Sequence, residues 1–220
     1  MEPLVFIAEL RVRLNVPEAS ADTWCPRCDA VLDTHGYHSG MCSAGGERTL
    51  RHNALRDLVF QWCERGCLRP ERERPGLLLP QQPDDLSAAR RRPADVFLPS
   101  FQGRPTAIDF AVTAPQQLDV LGAPGSYTPA AAAAAYSEHK RKHLDTEAVC
   151  RAQNVHFLPL VVETTGAWAP EAAKALSRIG RASALHGFGA GSATLLQEAC
   201  VVVRSWRARA ALRRRAELQP

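Results

Sequence analysis

Apolar positions fall into two rhythms along this chain. At helical spacing stand Leu4, Ile7, Ala8 and Val12, which predict a helix over residues 3–14, ended at Val16-Pro17. Leu50, Ala54, Leu55, Leu58, Val59 and Trp62 predict a second over about 49–67, stopped near Gly66. A third, opened by six consecutive alanines, spans about 130–153. Residues 170–179 predict a fourth, with Glu171 in its first turn, and 192–218 a long last one. The other rhythm is the short apolar run. Asp95-Val-Phe-Leu, ended by Pro99, and residues 106–113 predict two strands joined by a turn-rich connection. A short strand is expected within 68–79, and 155–163 is so continuously apolar that it predicts a central strand buried on both faces. Residues 81–92 are polar and 115–129 carry Gly and Pro; both predict loops. Residues 23–46 follow neither rhythm.

This order predicts a mixed α/β fold, a mixed sheet flanked by helices, preceded by a small metal-organised unit. The expected divisions are an N-terminal helix (1–20), the small unit (21–48), the core (49–190) and a basic C-terminal helix (191–220). At 220 residues and 45% apolar content the chain can bury a proper core. Net charge is +4 with a pI near 8.8, consistent with a polyanionic partner. The seven cysteines, odd in number and including a tight pair, fit metal binding in a reducing, intracellular compartment better than a disulfide framework. No segment approaches the roughly 20 apolar residues of a membrane span, and the N-terminus does not read as a signal peptide.

The small unit holds Cys25-x2-Cys28-x9-His38-x3-Cys42. Zinc takes four tetrahedral sulfur and nitrogen ligands, and a Cys-x2-Cys turn presents two of them. His35 is the alternative to His38. Cys63-x3-Cys67 and His139-x3-His143 are each spaced for one helix face, but buried thiols and a solvent- or DNA-facing histidine pair explain them more simply.

Asp95 and Asp109 stand in adjacent apolar runs. A buried, unpaired carboxylate costs several kcal/mol, and two neighbours repel. A magnesium or manganese ion, which favours hard oxygen ligands, removes both penalties. Ion pairing with Arg91, Arg92 or Arg104 is the plainer explanation. If repulsion dominates, replacing either acid by Asn should preserve or raise stability in the metal-free protein.

Taken in order, the Cys-Cys-His-Cys unit, Arg51-His52-Asn53 opening a helix, Pro-Gly-Leu-Leu at 75–78, Arg-Pro-Ala-Asp at 92–95 and Ala-Ile-Asp at 107–109 resemble a known family. It is the restriction-like, PD-(D/E)XK endonuclease region of site-specific non-LTR retrotransposon polyproteins. The resemblance covers roughly residues 20–165 and supports His38 as the zinc ligand. It implies a metal-dependent endonuclease that nicks DNA, with Asp95 and Asp109 as catalytic metal ligands. Where the core motif has lysine, two residues after the second aspartate, this chain has Ala111. The resemblance then implies a lysine from the next helix, Lys140 or Lys142; helical periodicity favours Lys140, which shares a stripe with Tyr136, Leu144 and Ala148, whereas Lys142 lies with Glu138 on a polar face. His52 is implied at the same site; from their places in the chain, Glu73, before the expected first strand, is a candidate third ligand and Glu163, at the end of the buried strand, a candidate support. A decayed, non-cleaving module that binds nucleic acid is the alternative.

Arg91 and Arg92, and Arg207, Arg213 and Arg214 of the C-terminal helix, are the expected nucleic-acid contacts. Trp24 is a candidate for stacking on a base. DNA is the expected partner, with RNA possible and a nuclear location implied. The 220 residues leave no room for a reverse transcriptase, so a fragment or detached copy of such a region is expected.

Overall fold

The computed structural model describes residues 1–80, 84–85, 92–116, 128–188 and 191–218. The helices are α1 (Pro3–Arg13), α2 (Tyr37–Met41), α3 (Glu47–Arg65), α4 (Ala131–Lys142), α5 (Thr146–Ala152), α6 (Pro170–Leu185) and α7 (Ser192–Ala216). The strands are β1 (Thr23–Trp24), β2 (Val31–Leu32), β3 (Glu71–Arg72), β4 (Val96–Phe101), β5 (Arg104–Thr113) and β6 (His156–Glu163). β1 and β2 form a small hairpin; β3-β4-β5-β6 form a mixed sheet flanked by helices, with β3/β4 and β4/β5 antiparallel and β5/β6 parallel. The expected mixed α/β class is the one observed.

The main core joins Leu55, Val59 and Trp62 of α3 to Val96, Leu98, Ile108, Phe110, Leu158 and Leu160 of the sheet and to Leu176, Ile179, Leu195 and Val203 of α6 and α7. A smaller cluster, Ala94, Phe97, Ala107, Cys150, Val155 and Phe157, includes a residue of α5. Ile108 and Phe110 belong to the first and Ala107 to the second, so alternation divides the side chains of β5 between two layers at this point, while Ala111 further on joins the first.

Several boundaries depart from expectation. Pro99 does not end β4; it falls at a register shift between Leu98 and Phe101, where a strand tolerates a missing N–H. Gln102 and Gly103, both with positive φ, make the tight turn into β5. β6 is the last strand of the sheet order, not a central one. Its apolar run reflects helices packed on its faces rather than a strand on each side. The helix expected over 130–153 is two helices, because Leu144 and Asp145 both adopt left-handed φ. α3 begins at Glu47, so His52 lies in its second turn.

α1 buries Val5, Ala8 and Glu9, while Leu4 and Ile7 are exposed, so it is rotated from the expected face. Glu9 sets that rotation: buried, it pairs with both Arg204 and Arg207 of α7. Of the six arginines of α7, Arg207 and Arg214 are buried. Arg214, 0% exposed, donates to the carbonyls of Ala210 and Ala44 at 3.1 and 3.0 Å and faces Glu47. Arg207 and Arg214 do not serve the nucleic-acid contact expected of them, since buried guanidinium groups cannot reach a phosphate. Arg213 stays half exposed but pairs with Glu47 at 3.0 Å. Six arginines in one helix are as consistent with buried carboxylate partners as with a phosphate-binding face, and the sequence does not separate the two.

Candidate active site and metal centre

Asp95 immediately precedes β4 and donates its N–H to the Ile108 carbonyl at 2.8 Å, which brings it beside Asp109 of β5. One carboxylate oxygen of Asp95 accepts from the Phe110 N–H at 2.7 Å and lies 3.1 Å from His52 Nε2. Asp109, 8% exposed, pairs through Oδ2 with Lys140 Nζ at 2.7 Å. His52 of α3, Asp95 just before β4, Asp109 of β5 and Lys140 of α4 thus converge. Lys142, two positions on, is exposed on another face of α4.

The two acids differ electrostatically. Burial pushes the Asp109 carboxyl up to about 6, helped by the charge of Asp95 and opposed by Lys140 and His52. For Asp95, burial also acts upward, but the His52 and Phe110 hydrogen bonds and the His52 and Lys140 charges outweigh it and hold the carboxyl below its ordinary value. The hydrogen bond to Asp95 raises His52, with Asp95 and Asp109 charge adding to it against burial. Lys140 is raised too: burial opposes its charge, and Asp109 beside it prevails. An ion pair with lysine would ordinarily lower an aspartate. Here burial wins for Asp109, and the ionised pair still dominates near neutral pH.

Two clefts meet at this point. One, about 320 Å³, is lined by Arg48, His52, Asp109, Ala111, Tyr136 and Lys140 among others. The other, about 180 Å³, is lined by Arg92, Asp109, Lys140, His143 and Phe157 among others. Both acids offer hard oxygen donors of the kind magnesium and manganese prefer.

Of the other expected site residues, Glu163 lies behind α4. It is buried, accepts from the Ala132 N–H at 3.2 Å and from Thr165 Oγ1 at 3.0 Å, and so caps the helix that carries Lys140. Glu73 donates its N–H to the Asp95 carbonyl, but its carboxylate turns to Arg56 at 2.7 Å and does not join the acids. Arg92 is exposed at the cleft; Arg91 lies outside the described residues. Sequence reasoning missed Arg48, one turn before His52 on α3; that spacing was the available signal.

In the small unit, Cys25, Cys28, His38 and Cys42 bring their ligand atoms within 4.8 Å of one another, a group that could hold a metal ion. Cys28 Sγ lies 3.3 Å from His38 Nε2 and 3.7 Å from Cys42 Sγ. Tetrahedral zinc, with bonds of about 2.3 Å to sulfur, separates its ligands by roughly 3.8 Å, so the donor set and spacing suit zinc. The hairpin β1–β2 supplies the first two cysteines. Asp33 accepts from the N–H groups of Tyr37 and His38 at 3.0 and 2.8 Å and so sets α2, which presents His38. His35 stacks on Tyr37 and is not part of the group. Burial and the Arg214 charge lower His38, against Asp33, favouring the neutral imidazole that ligates metals. At Cys25, burial acts upward, but N–H groups of Arg27 and Cys28 and the Cys28 and Arg214 side chains prevail and lower the thiol. Among the described residues, Cys63, Cys67, His139 and His143 form no such group. Trp24 is 69% exposed.

Comparison with known proteins finds no family model matching the chain and no match among curated proteins.

Proposed function

We propose that this chain is a metal-dependent endonuclease that hydrolyses a phosphodiester of DNA, of the restriction-like class its sequence resembles, acting in a retroelement's target-site nicking. The observation that carries the reading is the meeting of Lys140, at 2.7 Å from Asp109, with Asp95 and His52 from three other elements. Lys140 lines the same cleft as Ala111, and so would serve as the lysine that the core motif carries at that position. Asp95 and Asp109 would hold a magnesium or manganese ion, which when bound polarises the phosphoryl oxygens and activates the attacking water.

The protein's own groups do the rest. His52 and the Phe110 N–H fix the orientation of Asp95. Lys140 keeps a positive charge at the cleft where the phosphate acquires negative charge in the transition state. Arg48 and Arg92, one in each cleft, take flanking phosphates. The small unit holds one structural zinc on Cys25, Cys28, His38 and Cys42. DNA is the partner, RNA a further one, and the chain works inside the cell, in the nucleus.

A second reading, a non-cleaving nucleic-acid-binding module, is favoured by Ala111 and by the neutralisation of both acids by His52 and Lys140. Incubating the purified chain with supercoiled plasmid and magnesium or manganese separates the two. The nuclease reading expects open-circular product from wild type and none from Asp109→Ala. Plasmid bound but never nicked by wild type leaves the binding module.

A further inference from the structure

Tyr136, His139 and Lys140 of α4 and His143, the residue that follows its last turn, stand at i, i+3, i+4 and i+7 along one side. Their rings form a ladder: Tyr136 and His139 centroids are 5.5 Å apart at 28°, and those of His139 and His143 5.8 Å apart at 29°. Lys140 lies within this ladder. Tyr136 opens into the larger cleft and His143 into the smaller, and Asp109 and Lys140 line both. His139 and His143 are exposed, so packing the core does not account for them.

We infer that the strand cut at this site is bound unpaired, with the bases on either side of the scissile phosphate stacked on Tyr136 and His143. The inference rests on the nuclease reading and adds the substrate class: single-stranded nucleic acid, or a duplex opened at a bubble or flap. In an intact duplex the base faces are stacked on one another, and a protein meets only edges and phosphates. The exposed His143 ring, and the Tyr136 ring that packs in part against the main core yet lines the larger cleft, have little to contact there. An unpaired strand presents the π-face of every base, which aromatic rings bind with little regard to sequence. Arg48 and Arg92 add the charge complementary to its phosphates.

The test uses the full chain carrying Asp109→Asn, without magnesium, titrated with an oligonucleotide that carries 2-aminopurine. The oligonucleotide is offered single-stranded, as a duplex and as a bubbled duplex. Single-stranded and bubbled forms should bind at least about tenfold more tightly than the duplex, with the fluorescence quenched by stacking. Tyr136→Ala and His143→Ala should each cost about tenfold in single-strand affinity, while Tyr136→Phe and His143→Phe retain affinity and quench. Because His143 is exposed, its variants test the ladder without disturbing the core. Equal or tighter duplex binding without quench, or alanine variants that bind single strands as well as the parent, would overturn the inference and leave the nuclease reading standing. Failure to bind any of the three forms would overturn both.

Discussion

At the scale of single residues, the site turns on an asymmetry between two aspartates that look alike in the sequence. Mutual repulsion leads to the expectation that losing either acid preserves or raises stability without metal. The structure splits that expectation. Asp95 is held below its ordinary value by hydrogen bonds, so its charge stabilises the fold above about pH 4, and that contribution is lost as pH falls through its lowered value. Asp109 behaves oppositely. Between about pH 4 and its raised value near 6, the folded chain keeps a proton that the unfolded chain releases, so stability falls as pH rises through that window. Asp95→Asn should therefore destabilise at neutral pH by on the order of 1–3 kcal/mol. Asp109→Asn should gain relative to wild type between about pH 4 and 7. Thermal melting across pH in magnesium-free buffer checks both; the same response from the two variants would mean the acids share one environment. The folded value of His52 is raised, so its contribution is complete below about 6.5 and lost as pH climbs through that raised value. His52→Gln should remove that alkaline loss.

Among the elements, α7 changes most from its sequence reading. Periodicity identified it as a helix and located its arginines, but a run of arginines carries no sign of what lies opposite. Glu9, far away in sequence, takes Arg204 and Arg207; Glu47 takes Arg213 and faces Arg214. Arg207→Ala should leave buried Glu9 short of a partner and cost several kcal/mol in a denaturant melt. It should not alter the salt dependence of DNA binding. Arg48→Ala with Arg92→Ala should leave the melt near wild type and lower the salt slope by about two. The strands were more legible, since runs such as residues 106–113 state their own burial. The place of β6 in the sheet was not legible, because helices and strands bury an apolar face equally well. Nor was the break in the helix expected over 130–153: Leu144 and Asp145 contain no Gly or Pro to announce left-handed backbone.

At the scale of the whole molecule, the small cysteine–histidine unit and the α/β core are tied together. Arg214 of α7 reaches the Cys42 and Cys25 thiols and also faces Glu47, the first residue of α3; on α3, Arg51 donates to the Gly40 carbonyl at 3.1 Å and His52 meets Asp95. Three thiolates and a neutral imidazole leave a zinc centre with one negative charge, which the Arg214 guanidinium opposes. Elemental analysis should find about one zinc per chain, lost in Cys42→Ser. Removing it should also lower the melting temperature of the core. A zinc-free chain that melts unchanged would separate the unit from the rest. The Cys-Cys-His-Cys set and the two acids could be picked out in the sequence because their chemistry demands particular residue types at close spacing. That a lysine of this helix matters required the resemblance; which lysine turns inward was legible in periodicity, since Lys140 shares a stripe with Tyr136 and Leu144 and pairs with Asp109 in the structure. The most direct test of the central claim compares nicking of supercoiled plasmid by wild type, Lys140→Ala and Lys142→Ala in magnesium. Lys140→Ala should lose most activity while still binding DNA, and Lys142→Ala should stay near wild type; full activity in Lys140→Ala, or loss confined to Lys142→Ala, would rule out Lys140 as the active-site lysine.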